Sequence, residues 1–149
     1  MRRADFQFSH ALRVRWAEVD GQGIVFNAHY LMYFDVTITE YYRAIGIPYP
    51  QGLVQLGTDL YVKKAMLEYH ASAVYDDVID LCARVARIGR SSFQFVLAVY
   101  RADELLVTGE IVYVNADPRS RKSAPVPEAL RKAMREFERV KPQEASIGS

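Results

Sequence analysis

At 149 residues, half of them hydrophobic, the chain can fill one core without metals or disulfides and has no room for a second domain of ordinary size. Nineteen Lys and Arg against eighteen Asp and Glu leave a formal charge of +1, so no global field points to nucleic acid or an anionic membrane as partner. A single cysteine, Cys82, excludes an internal disulfide, and its place in an apolar strand pattern predicts a buried structural thiol.

Met1-Arg2-Arg3-Ala4-Asp5 leads into Phe6 without the apolar run of a signal peptide or membrane span, so a cytoplasmic protein with no integral membrane segment is expected. From Phe6 to Trp16 apolar side chains fall at every second place (Phe6, Phe8, Leu12, Val14, Trp16), which predicts a half-buried strand. Gly21 and Gly23 then bend a loop carrying Asp20, and a long apolar helix starts near Asn27 or Ala28. Its apolar residues, from Leu31 to Ile45, surround the axis, a pattern that predicts burial on most sides. Gly46 fits the C′ position, and Pro48 prevents continuation.

Four strands are expected next, at about Leu53 to His70, Val78 to Ile88, Ser92 to Arg101 and Leu105 to Asn115. The first changes phase near Lys63-Lys64, since Leu60 and Val62 are even while Ala65, Leu67 and Tyr69 are odd, so a bulge or bend is expected there. Leu130, Ala133, Met134 and Phe137 predict a short amphipathic helix opened by Pro127. Residues 1–140 thus read as one α+β domain and 141–149 as a flexible tail.

Chemistry concentrates in the run Asp20-Gly21-Gln22-Gly23-Ile24-Val25-Phe26-Asn27, followed by a helix with Tyr30, Tyr33 and the mid-helix acid Asp35. A carboxylate on a bent loop beside a helix N-terminus can put a base or nucleophile and amide dipoles around one carbonyl. This pattern is similar to that of the hotdog-fold acyl-CoA thioesterases of the 4-hydroxybenzoyl-CoA thioesterase type, and the stretch Ile88-Gly89-Arg90-Ser91-Ser92-Phe93 matches the same family. The resemblance spans roughly residues 7–130.

It implies an antiparallel sheet of about five strands wrapped around a long central helix, with a short C-terminal helix. It also implies hydrolysis of an acyl-CoA, short-chain, long-chain or aromatic, with Asp20 as nucleophile or general base and the Asn27 amide polarising the thioester oxygen. Gly23, Arg87, Arg90, Ser91 and Ser92 become the expected substrate-binding residues, and a homodimer or homotetramer the expected assembly. Many relatives of the Tol-Pal-associated type carry histidine where this chain has Asn27, a departure that leaves the backbone amide intact. No cofactor is implied beyond the coenzyme A of the substrate.

Other readings stand beside these. Asp20 could simply satisfy turn amides, and Asp35 is a second candidate carboxylate or a paired interface acid. Glu18 is expected to project away from Asp20. His10, His29 and His70 have no metal-ligand spacing, so no metal site is expected. Arg119, Arg121 and Lys122 read as a solvated turn. A non-catalytic acyl-CoA binding or interaction protein on the same fold is the alternative function.

Overall fold

The computed structural model describes residues 2–145. In chain order its elements are β1 (Phe8–Arg13), α1 (His29–Ala44), α2 (Gln51–Gln55), β2 (Asp59–Tyr69), β3 (Val78–Ile88), β4 (Ser92–Arg101), β5 (Glu104–Ala116), α3 (Glu128–Phe137) and β6 (Gln143–Glu144). The strands form one sheet in the order β1-β3-β4-β5-β2, antiparallel throughout, with the short β6 added in parallel to the end of β3. One face of this sheet wraps α1, which is the hotdog arrangement expected from the sequence.

Alternation decides which residues meet the helix. Phe93, Phe95, Leu97 and Val99 of β4 turn inward, beside Leu81, Ala83 and Val85 of β3 and Ile111 and Tyr113 of β5. From α1 they receive Tyr33, Phe34, Ile38, Tyr41 and Tyr42. The closest approach is at Gly109 of β5, where a Cβ would lie 2.7 Å from the Phe34 ring, so the helix can sit this low only over a glycine. Gly46, at φ 85°, ends α1 as the sequence predicts. Its N–H donates to Arg43 O (3.2 Å) and that of Ile47 to Tyr42 O (3.0 Å), so two otherwise free carbonyls are satisfied.

The expected phase change in β2 is a bulge between Val62 and Lys64. Two strand readings are corrected. The strand reading from Phe6 to Trp16 holds only for Phe8–Arg13, because Trp16–Glu18 form a 3-10 turn that leaves Trp16 74% exposed. The strand reading from Leu53 begins at Asp59, since Gln51–Gln55 are helical and Gly57, at φ 70°, closes that turn. The tail reading meets β6 at Gln143–Glu144, where Glu144 is held by Arg131 (3.3 Å) and Arg135 (2.6 Å). Residues 146–149 of that tail lie outside the described residues.

The burial expected around α1 is also one-sided. Leu31, Met32 and Val36 face outward, beside the exposed edge strand β2 with Tyr61, Val62 and Met66.

On the opposite edge of the sheet, β1 pairs with Val78–Ala83 of β3 and β6 with Arg87–Ile88, leaving a gap at Val85. Glu138 fills it. Its Oε2 accepts the Val85 N–H (2.8 Å) and the Tyr41 hydroxyl (2.6 Å), while its Oε1 is buried with no partner among the described residues. Burial pushes this carboxyl above the usual range, and the two donors only partly offset it. The folded chain therefore binds the proton more tightly than the unfolded one, so stability falls as pH rises from about 4.3 through the folded-state pKa. Glu138→Gln cannot ionise, so this pH-dependent loss should disappear. Thermal midpoints measured at several pH values from 4 upward should diverge between the two proteins, wild type losing more.

Candidate active site

Val14, just past β1, donates to Asp77 O (2.8 Å) and brings the chain beside the segment before β3. The 3-10 turn Trp16–Glu18 follows, then a narrow return: Val19 pairs with Val25, and the Asp20 N–H donates to Ile24 O (2.9 Å). Gly23 closes the tip through its N–H to Asp20 O (3.0 Å) at φ 81°, a conformation that favours glycine. The returning arm is tied to the segment after β2, with Val25 N–H on Ala73 O (2.9 Å) and Ile24 bridged to Val74. Arg101 steadies that segment by donating to Ser72 O (3.2 Å) and Asp77 (2.7 Å).

Asp20 Oδ1 accepts the Gln22 N–H (2.7 Å), so the turn-satisfying role weighed from the sequence is present. Oδ2 accepts nothing among the described residues. The N–H groups of Asn27 and Ala28 likewise have no acceptor among the described residues, at the entrance of α1 where the helix dipole is positive. Tyr69, at the end of β2, donates to Asn27 O (3.3 Å), and the Tyr30 hydroxyl accepts the Ala73 N–H (3.0 Å).

Glu18 does not project into solvent. It is 4% exposed, and its carboxylate accepts from the Arg15 N–H (2.8 Å), the Arg15 guanidinium (2.6 and 3.0 Å) and the Tyr33 hydroxyl (2.9 Å). Burial alone would raise its pKa, but these donors outweigh it and hold the carboxyl below the usual range. The signal available in the sequence was the three-residue spacing of Arg15 and Glu18. The tie to Tyr33 is tertiary and has no local signature.

The binding residues expected from the sequence lie elsewhere. Arg87, near the end of β3, and Arg90, in the turn after it, are exposed, and Ser91 and Ser92 are half-buried beside β5. Ser91 O accepts the Asn115 N–H (2.7 Å), and a groove of about 290 Å³ runs past Arg87, Gly89, Ser92 and Gln94. Arg131 of α3, which the sequence reading missed, braces this turn by donating to Gly89 O (2.6 Å).

The Asp20 loop adjoins the Tyr69 end of β2, whereas the Arg90 turn adjoins Val114, which pairs with Tyr61 at the other end. Eight residues at about 3.3 Å each separate these positions by roughly 26 Å. One protomer therefore does not bring Asp20 and Asn27 together with Arg87, Arg90, Ser91 and Ser92. His29 packs edge-on against Phe26, and His70 meets Thr108 (3.0 Å). Arg119, Arg121 and Lys122 form an exposed turn organised by Asp117. Among the described residues no group of three His, Cys, Asp or Glu could hold a metal, and no helix is long and apolar enough to cross a membrane.

A cleft of about 550 Å³ runs from Ala28 along Leu31, Met32 and Asp35 toward Tyr113 of β5. A second, of about 220 Å³, continues past Asp35 to Tyr42 and Tyr49. Asp35 is exposed on this uncovered side.

A family model described as the thioesterase-like superfamily matches residues 14–134, and the chain belongs to that family. It is 25% identical over 124 residues to the acyl-CoA thioester hydrolase YbgC of Escherichia coli, covering 83% of this chain and 92% of that one. Among solved structures it is similar to a Thermus thermophilus thioesterase complexed with coenzyme A and Zn, at 26% identity and TM-score 0.78, covering 90% of this chain and 96% of that one. The PA5185 protein of Pseudomonas aeruginosa is similar at 26% identity and TM-score 0.81, covering 93% and 96%.

The Tyr42 hydroxyl in the smaller cleft is buried without a partner among the described residues, whereas that of Tyr41 holds Glu138. Removing an unpaired hydroxyl costs little, while taking one of its two donors from the buried Glu138 carboxyl is expensive. Tyr42→Phe should change stability by less than about 0.5 kcal/mol or increase it, and Tyr41→Phe should cost about 1.5 to 3 kcal/mol. Urea denaturation of the two variants measures the contrast.

Proposed function

We propose that the protein hydrolyses an acyl-CoA to a free acid and CoA, with Asp20 as the reacting carboxylate. The observation that carries this reading is the free Oδ2 of Asp20 on a loop that leads into the two unpartnered amides at the start of α1. A thioester oxygen resting on those amides would be polarised by them and by the helix dipole. Two routes use the same Asp20 oxygen. In one it attacks the carbonyl carbon, the C–S bond breaks, and water opens the resulting anhydride. In the other it takes a proton from water as that water attacks, and the C–S bond then breaks. Each route consumes one water and leaves the thiol of CoA. The E. coli relative named for this hydrolysis and the Thermus structure with coenzyme A support the substrate class. A cytoplasmic location belongs to the same proposal.

Arg87 and Arg90 are then the cations for the CoA phosphates, with Ser91 and Ser92 as donors beside them and Gly23 keeping the loop tip low. The separation of roughly 26 Å along β2 requires a second chain. The open β2 edge and the apolar surface of Leu31, Met32, Val62 and Met66 need cover in any case. An antiparallel pairing of two β2 edges about a two-fold axis reverses one sheet on the other. It lays the Arg90 end of one protomer against the Asp20 end of its partner, so a homodimer, alone or doubled into a homotetramer, holds complete sites.

Free CoA release should be assayed across short-chain, long-chain and aromatic acyl-CoAs. Asp20→Asn keeps the side chain's size and removes its charge, so turnover should fall at least about a hundredfold with the fold retained. Unchanged turnover in the folded variant would reject Asp20.

Mixed oligomers test the shared site. Asp20→Asn and Arg90→Ala chains, each impaired alone, should recover activity when mixed, since some sites then combine an intact Asp20 with an intact Arg90. No recovery, in mixtures shown to exchange chains, would place both residues in a site built from one chain.

A further inference from the structure

We propose that Glu18 is the positioning residue of the site: its carboxylate ties the Asp20 loop to α1 through Tyr33 and so sets Asp20 against the amides of Asn27 and Ala28. This rests on the reading of Asp20 as the reacting carboxylate. Three observations combine in one residue.

First, Glu18 closes the loop at its root. Its backbone O accepts the Phe26 N–H (2.9 Å), so the outgoing and returning arms meet there, two residues before Asp20 and one before Asn27. Second, both carboxylate oxygens are committed: Oε1 to the Arg15 N–H (2.8 Å) and Tyr33 hydroxyl (2.9 Å), Oε2 to the Arg15 guanidinium. Third, the far partner belongs to another element. Tyr33 lies one turn past His29, its ring meets that of Tyr30 edge-on, and the Tyr30 hydroxyl holds Ala73 beneath the returning arm. The loop and helix are thus joined by a closed circuit of hydrogen bonds and ring contacts rather than by chain connectivity alone.

A buried carboxylate is an expensive way to fasten a loop, and an apolar side chain would fill the space at lower desolvation cost. What the carboxylate adds is direction, since each oxygen accepts along fixed lines from donors on both elements. Arg15 is largely exposed, so its ion pair is screened on one side, and the Tyr33 contact is the buried one. Burial and the neighbouring Glu18 push the Tyr33 phenol well above its ordinary value, while the Glu18 carboxyl is held low. The donor therefore stays protonated and the acceptor charged at neutral pH.

The test separates positioning from folding. Tyr33→Phe keeps the ring packing and removes the single hydroxyl that reaches Glu18. It should lower kcat by about 10- to 100-fold for a displacement on the order of 1 Å, with KM within about twofold. Glu18→Ala should do the same, and Glu18→Gln should restore most of kcat, because an amide oxygen still accepts from Tyr33 and the Arg15 N–H. The double variant Glu18→Ala/Tyr33→Phe should be no slower than Glu18→Ala alone, as expected for two partners in one contact.

Should Glu18→Ala fail to fold, Tyr33→Phe decides alone. Wild-type kcat in folded Tyr33→Phe overturns the inference, and so does a Glu18→Gln protein that folds but is as slow as Glu18→Ala. Wild-type turnover in Asp20→Asn would instead overturn the reading beneath it, so the two failures are distinguishable.

Discussion

Everything in this protein hangs on how low α1 sits in the sheet. Phe34 rests directly over Gly109, closer than any side chain at that position would permit, and the rings of Tyr41, Tyr42 and Phe95 lock edge-to-face around the same axis. With the helix at that depth, its first turn meets the loop carrying Asp20, and its last turns meet the α3 segment through Tyr41 and Glu138. A helix held away from the sheet would break both contacts together. The depth also fixes what stays uncovered: Leu31, Met32 and Val36 cannot turn inward, because Tyr30, Tyr33 and Phe34 already occupy the concave face.

The buried and the exposed halves of α1 therefore follow from one packing decision. The half of α1 that faces the sheet is held by rings and glycine, and the half that faces out supplies the apolar surface beside the open β2 edge. The chain carries the Asp20 loop at one end of β2 and a basic, serine-bearing turn at the other. The separation between them is set by strand length, so side-chain motion cannot close it.

Long periodic features were legible in the sequence. The helix from His29 to Ala44, its stop at Gly46, the phase change in β2 and the strands β3 to β5 are all where alternation and glycine chemistry predict. Short elements held by tertiary contacts were not. Residues Gln51–Gln55 lead into the apolar Leu56 and Leu60 and so read as the start of the strand, whereas backbone bonds to Pro48 O and Pro50 O close a helical turn there, with Gly52 tight against Ile47. Trp16 continues the period of β1 but leaves the sheet because Arg15 and Glu18 close a turn around it. In the site, Asp20 stood out through its glycine-bent loop and family pattern. Glu18 did not, because its partner Tyr33 is fifteen residues away, and Arg131 did not, because its acceptor is a backbone carbonyl on a distant turn.

The lone thiol offers a practical outcome of the packing. Cys82 is enclosed by Phe6, Ala98 and Tyr100 on the outer face of the sheet, fully shielded, and burial pushes its pKa up to about 11. In the native protein it is protonated and out of reach of thiol-directed dyes at neutral pH. Such a dye would then colour only with sulfur liberated from a thioester, without background from the enzyme. In denaturant the same dye would count one new thiol per chain, so a single reagent can time the reaction in one buffer and the opening of the sheet's outer face in another.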